Sequence, residues 1–203
     1  MNAPLRLLFA GTPEIACFSL EALLANSSGA GSVIGVLTNP DRPVGRKRVP
    51  TPPPVKTMAL EAGIPVLQPE RLDADAREAV RKLGPDLLVT VAYGKIFGPR
   101  FMALFPRGGI NLHPSLLPHH RGPSPLQAAI LSGDTRTGVT IQAIAPEMDS
   151  GAILLQEEIP IDSRATVEAL HDELGRRGAR LVTRAVALIA AGAAQWREQD
   201  HSA

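Results

Sequence analysis

A single cysteine, Cys17, is the only thiol among 203 residues, and aromatic side chains make up just 3% of them. One cysteine excludes an intramolecular disulfide and a zinc site built from paired thiolates, and it suits a reducing compartment. So few rings argue against nucleic-acid binding by base stacking, and they leave the core to Ala, Leu, Val and Ile. Long apolar runs are missing too. The opening MNAPLRLLFAGTPE has one short apolar run broken at Gly11 and Pro13, too brief for a signal-peptide core. No later stretch reaches the roughly 18 apolar residues that a membrane span needs. These absences describe a soluble, cytoplasmic protein with no membrane partner, expected to act as a monomer.

What is present is an ordinary globular balance, 44% hydrophobic and 20% charged. The length suits one domain, or one domain and a stub, and a chain of this size buries about 70% of its surface without staples. The net charge of +1 hides an asymmetry. Residues 40–56 hold five basic residues (Arg42, Arg46, Lys47, Arg48, Lys56) against one acidic, Asp41, so this stretch carries +4 and the remainder −3. It also holds six of the 19 prolines, ending in Pro52-Pro53-Pro54, which favour an extended conformation without ladder bonding.

Strand-like and helix-like patterns alternate through the first ninety residues. Leu5–Ala10, Val33–Leu37, Pro65–Leu67 and Asp86–Val91 read as strands, and Cys17–Leu24, Val55–Ala62 and Asp73–Leu83 as helices. Asp73 and Gly84 have the character of an N-cap and a C-cap. Gly109–His113 is a further strand and Pro123–Leu131 a helix. Gly138–Ala145 and Ile153–Ile161 are close enough to be antiparallel neighbours. A long helical stretch from Thr166 to Ala191 carries an expected interruption near Gly175–Gly178. The fold class is therefore α/β: a Rossmann-like, mixed but mostly parallel sheet with helices on both faces.

The first turn, Ala10-Gly11-Thr12-Pro13-Glu14, lacks the G-x-G-x-x-G pattern and puts an acid where a pyrophosphate would approach, which disfavours a dinucleotide site. No Walker A, G-x-S-x-G or H-E-x-x-H pattern is found. His119-His120 lacks partner ligands at metal spacing, and Cys17 reads as a small helix-face residue. The densest polar group is Asn111-Leu112-His113-Pro114-Ser115. Asn111 and His113 lie two apart on a strand and share a face, and Pro114 places His113 at the strand end. An amide and an imidazole side by side can stabilise an oxyanion and move protons in acyl transfer, or can simply be a pair satisfied by nearby backbone. Asp149 in Asp-Ser-Gly is either an Asx-turn residue or the carboxylate that orients His113.

Asn-x-His-Pro-Ser-Leu-Leu-Pro at 111–118, followed by Met-Asp-Ser-Gly-Ala-Ile at 148–153, resembles the folate-dependent formyltransferase superfamily. Leu7–Glu14, Asn39–Arg46, Thr51–Lys56 and Gly63–Pro69 are similar to its methionyl-tRNA formyltransferase family. The resemblance implies transfer of a formyl group from 10-formyltetrahydrofolate to the amino group of methionyl-initiator-tRNA, for translation initiation, without a metal. It assigns catalysis to Asn111, His113 and Asp149, with Asn111 and His113 on the formyl carbonyl and Asp149 keeping His113 protonated. Val91, Ala92, Tyr93, Ser115, Leu116, Leu117, Pro118, Ala145 and Glu147 are implied to line the folate site. Arg42, Arg46, Lys47 and Arg48 are implied to contact tRNA. Two other readings share the motif: a formyltransferase for a sugar or ribonucleotide amine, and a folate- or tRNA-binding module without turnover. The family pattern places the catalytic domain at 1–192 and the start of an interdomain linker at 193–203, with a C-terminal β-barrel domain absent and Trp196 in a frayed segment.

Overall fold

Leu5–Gly11 (β1) is apolar on both sides of its pleat except at Arg6, which marks a strand covered on both faces. The computed structural model describes residues 3–26, 29–46, 48–162 and 164–200. In chain order β1 is followed by α1 (Glu14–Ala25), β2 (Gly31–Leu37), β3 (Arg42–Val44), β4 (Val49–Thr51), α2 (Pro54–Glu61), β5 (Val66–Leu67), α3 (Ala74–Leu83) and β6 (Leu87–Val91). Then come α4 (Pro99–Met102), β7 (Gly109–His113), α5 (Pro125–Leu131), β8 (Arg136–Ala143), β9 (Ile153–Pro160) and α6 (Val167–Ala190). Seven strands form one sheet in the order β5-β2-β1-β6-β7-β8-β9. The pairs from β5 to β7 are parallel, and β8 and β9 join antiparallel. The expected mixed sheet is present, and its strand order changes direction between β1 and β6, the position at which open α/β sheets generally bind ligands at the strand C-termini.

The two faces are covered unequally. Leu7, Phe9, Val89, Leu112 and Ile141 pack under α1, α2, α5 and α6. On the other face Leu8, Leu37 and Leu88 meet Val80 of α3 and Phe101 of α4. Four of the few aromatics run in a line there, Tyr93, Phe97, Phe101 and Phe105, with successive ring centroids 5.3–5.7 Å apart. Beyond β6 this second face turns polar, with Thr90, Asn111 and Gln142 in ladder register across β6, β7 and β8. That polar strip is the floor of the candidate site.

Local signals explain several boundaries. The Asp73 side chain accepts from the Ala76 amide at the start of α3, and Gly84 ends it in the left-handed conformation at φ 60°. Two expectations do not hold. α6 runs unbroken through Gly175 and Gly178, because these glycines are packing residues rather than breaks. A Cβ at Gly175 would overlap the Phe18 ring, and one at Gly178 would lie 2.6 Å from Leu112 Cδ2. The basic segment is also not simply an extended connection. β3 and β4 pair antiparallel, with Pro43 opposite Pro50, a position where neither residue has an amide to donate.

The close contacts of α6 set the sign of a simple test. Gly→Ala in a helix interior ordinarily stabilises by up to about 1 kcal/mol. At Gly175 and Gly178 overpacking outweighs this, so each Ala variant is expected to lose about 1–3 kcal/mol in urea denaturation. A gain in stability at both positions would contradict the packing described.

Candidate active site

The site grows from β7. Its register sets Asn111 against Gln142 and His113 against Thr140 of β8. The alternation of the pleat puts Asn111 and His113 on the polar face, while Leu112 between them is buried against α6 at Gly178. Residues 144–152 then fold back over this face and carry Asp149. Two features fix the return. Gly151 approaches the Ala143 carbonyl so closely that any Cβ would overlap it, and Asp149 adopts a left-handed φ of 51°.

The Asp149 carboxylate accepts from Gln142 Nε2 at 2.8 Å and Asn111 Nδ2 at 3.2 Å on Oδ1, and from the Gly122 amide at 3.0 Å on Oδ2. His113 Nδ1 faces Oδ2 at 3.5 Å. The other ring nitrogen, Nε2, lies 2.9 Å from the His120 carbonyl, a partner that requires Nε2–H. His113 is 5% exposed. Burial pulls its pKa below the usual 6.5; the Asp149 charge and the His120 carbonyl oppose this and are outweighed. The ring therefore carries a proton on Nε2 for the His120 carbonyl and turns Nδ1 toward the Asp149 carboxylate. Asn111 has one amide N–H on Asp149, which leaves the second for a bound oxygen.

The other expected site residues fall into two groups. Val91, Tyr93, Ser115 and Leu117 are buried, so their side chains belong to the scaffold. Ser115 Oγ donates to the His119 carbonyl, Thr140 Oγ1 donates to the Ser115 carbonyl, and the Leu117 carbonyl accepts from Gln156. Ala92, left-handed at φ 48°, and Glu147 are exposed, while Leu116, Pro118 and Ala145 are half-buried. The Tyr93 hydroxyl is buried with no hydrogen-bond partner among the described residues, and burial pushes its pKa up to about 12.

Arg42, Arg46 and Arg48 stand exposed on the β3–β4 hairpin, and Lys47 lies outside the described residues. The hairpin base is tied to the strand C-termini. Asn39 Nδ2 donates to Thr12 Oγ1 and to the Tyr93 carbonyl, and Asp41 is gripped by Lys56 and Gln68 at 2.8 Å. Those bonds hold the Asp41 carboxyl below the usual carboxylate range, the Gln68 bond most of all. The basic hairpin thus emerges beside the C-terminal ends of β1 and β6.

Sequence reading missed Gln142, Gly122 and the His120 carbonyl. One signal was available for Gln142: Thr140 and Gln142 alternate with Val139 and Ile141 in a strand that is otherwise apolar. The terminal stretch also differs from expectation. Arg197 pairs through its backbone with Ile153, and Gln199 is buried, so residues 196–199 are docked rather than frayed. Among the described residues no helix is long and apolar enough to cross a membrane.

A family model described as "Formyl transferase" matches residues 5–186. A methionyl-tRNA formyltransferase of Chloroflexus aggregans is 48% identical over 200 residues, and one of Pseudomonas fluorescens is 46% identical over 204. These alignments take in 98% and 100% of this chain and 63% of each relative, so the chain spans less than two thirds of their length. Among solved structures, glycinamide ribonucleotide transformylase 1 of Symbiobacterium toebii superposes with a TM-score of 0.80 at 24% identity, covering 97% of this chain and 95% of that one. WlaRD, a sugar 3N-formyl transferase solved with dTDP and 5-N-formyl-THF, does so with a TM-score of 0.71 at 21% identity, covering 98% and 68%. At those identities the structural likeness speaks to the fold.

Burial of His113 has a consequence for stability. Its folded pKa is depressed, so as pH falls below about 6.5 the unfolded chain binds the proton first. The stabilisation is complete above that pH and is lost as pH falls through the folded value. Urea denaturation at steps between about pH 5 and 8 is expected to show unfolding free energy rising with pH, and His113→Gln is expected to flatten the rise. An unchanged slope in that variant would contradict the burial argument.

Proposed function

Since this chain belongs to the formyl transferase family, we propose that it transfers the formyl group of 10-formyltetrahydrofolate to the amino group of methionyl-initiator-tRNA. The observation that carries this reading is the meeting of Asn111, His113 and Asp149 around one carboxylate, in a chain nearly half identical to proteins named methionyl-tRNA formyltransferase. The polar groups suit the folate co-substrate: among the described residues Asn111 has a second amide N–H without a partner, the Tyr93 hydroxyl is buried without one, and Asn39 Oδ1 is a buried acceptor without one. Bound there, the formylated folate supplies an activated one-carbon group. The proposed setting is the cytoplasm and the proposed working unit a monomer.

Aminolysis moves charge onto the formyl oxygen and releases a proton from the attacking amine. Asn111 is placed to donate to that oxygen with its second N–H, which is worth most in a site screened from water. In this reading the His113–Asp149 pair takes the amine's proton, because the imidazolium that forms is stabilised by Asp149 on one side and the His120 carbonyl on the other. Returning that proton to the departing nitrogen of the folate completes the exchange, and no covalent enzyme adduct is required. His113 Nε2–H is engaged by His120, so the oxyanion falls to Asn111 and the proton to the His113–Asp149 pair. The exposed arginines of the hairpin supply charge for the phosphates of the tRNA acceptor end.

His113→Ala and Asn111→Ala are each expected to lower kcat/KM for formylation of methionyl-tRNA by about a hundredfold or more, with the circular dichroism of the fold retained. Most of the activity surviving in His113→Ala would sink the mechanism. Transfer to glycinamide ribonucleotide or an amino sugar in preference to methionyl-tRNA would sink the assignment of substrate. For the hairpin, log Kd for tRNA should rise with log salt concentration. Arg42→Ala should reduce that slope by about one unit at most. A slope unchanged by loss of Arg42, Arg46 and Arg48 together would remove the hairpin from the tRNA contact.

A further inference from the structure

Gln199 lies outside the residues matched by the family model, yet it sits against the candidate site. It arrives there by a short pairing: the Ile153 amide donates to the Arg197 carbonyl at 2.7 Å, and the Arg197 amide to the Ile153 carbonyl at 2.9 Å. Two residues on, the Gln199 side chain is 5% exposed and its amide is fully engaged. Nε2 donates to the Asp149 carbonyl at 2.9 Å and the Gly151 carbonyl at 2.8 Å. Nε2 also lies 3.3 Å from Gln142 Oε1, and the opposite end of that amide donates to the Asp149 carboxylate. Oε1 of Gln199 accepts from Arg121 Nη2 at 2.8 Å and Nε at 3.2 Å.

Each partner belongs to a segment that touches the reactive groups. Arg121 stands between His120, whose carbonyl holds His113 Nε2, and Gly122, whose amide holds Asp149 Oδ2. The carbonyls of Asp149 and Gly151 bracket the turn that presents the carboxylate, at the position where the backbone is left-handed on a residue with a side chain. A left-handed aspartate persists only where its surroundings over-determine it, and two donated bonds to the carbonyls of one turn do that. A buried glutamine with no other duty could meet its bonding needs anywhere in the core. This one closes a ring of bonds through three segments that all contact Asp149 or His113.

We propose that Gln199 is a positioning residue for the formyl-transfer site, holding the 149–151 turn and the Arg121 segment so that the Asp149 carboxylate faces His113 and Asn111. The inference rests on the function proposed above, and its test includes a readout that does not need that function. Gln199→Met keeps the length of the side chain and removes every hydrogen bond. Gln199→Glu keeps an acceptor for Arg121 and removes both donated bonds. Each variant is compared with the wild type for kcat and KM in formyl transfer, and for the His113 titration midpoint by NMR.

Asp149 and His120 are the titratable groups that act on His113, and Asp149 raises its affinity for a proton. Loosening the turn should therefore lower the His113 midpoint in Gln199→Met, while in both variants kcat falls about tenfold or more and KM changes less than about twofold. In an Asp149→Asn background, Gln199→Met should add less than about a twofold further loss, because the residue it serves is already altered. An unchanged His113 midpoint together with an unchanged kcat overturns the proposal, and so does the same fold-loss with and without Asp149. If Gln199→Met does not fold, kcat and KM of Gln199→Glu decide the matter, and an unchanged kcat in that variant overturns the proposal. If the wild type transfers no formyl group to any amine, the formyl-transfer reading fails, and the His113 midpoint still tells whether Gln199 positions Asp149.

Discussion

The carboxylate of Asp149 gathers four groups from three parts of the chain. Asn111 comes from the end of β7, Gln142 from β8, the Gly122 amide from a loop, and His113 presents Nδ1 from the strand end. A buried carboxylate with so many donors costs little to desolvate, and it fixes the orientation of whatever donates to it. The imidazole beside it is held on its other side by the His120 carbonyl, so its tautomer is set by geometry. Remove the charge and the amides have nothing to converge on.

The rest of the fold provides the conditions for that meeting. Helices α3 and α4 cover the second sheet face at β2, β1 and β6 and reach β7 at Gly109, and the polar strip of Thr90, Asn111 and Gln142 lies beyond that cover. Gly178 lets α6 close on Leu112 from behind, which keeps β7 rigid between an apolar back and a polar front. Gly151 permits the return loop to lie against Ala143. The basic hairpin is moored to the C-terminal ends of β1 and β6 through Asn39, Thr12 and the Tyr93 carbonyl. The proposed catalysis and the proposed recognition thus share one end of one sheet.

What the sequence made legible follows the range of the interactions. β7 could be read to the residue because Gly109 opens it and Pro114 closes it, and both are local constraints. The caps of α3 were legible for the same reason. The unbroken course of α6 was not, because Gly175 and Gly178 are glycines for the sake of Phe18 and Leu112, which are distant in sequence. The β3–β4 hairpin was hidden by its prolines, which argue against strands until they are seen to face each other where no amide is needed. Asn111, His113 and Asp149 were found through a motif. Gln142, Gly122 and Gln199 belong to no motif, since their roles depend on contacts across 7, 27 and 48 or more residues.

The central claim is that the charge of one carboxylate organises the amide and the imidazole for formyl transfer. Single-turnover formylation of methionyl-tRNA by Asp149→Asn tests it most directly, because the shape is kept and the charge is lost. An amide at this position must turn its own donors either toward the Gly122 amide or toward the amide donors of Asn111 and Gln142, so the arrangement cannot survive intact. The account predicts a chemical step slower by about a thousandfold, on the scale seen when a site loses a preorganised electrostatic group. A single-turnover rate within a few-fold of wild type, by contrast, would show that the Asp149 charge is not what the site depends on.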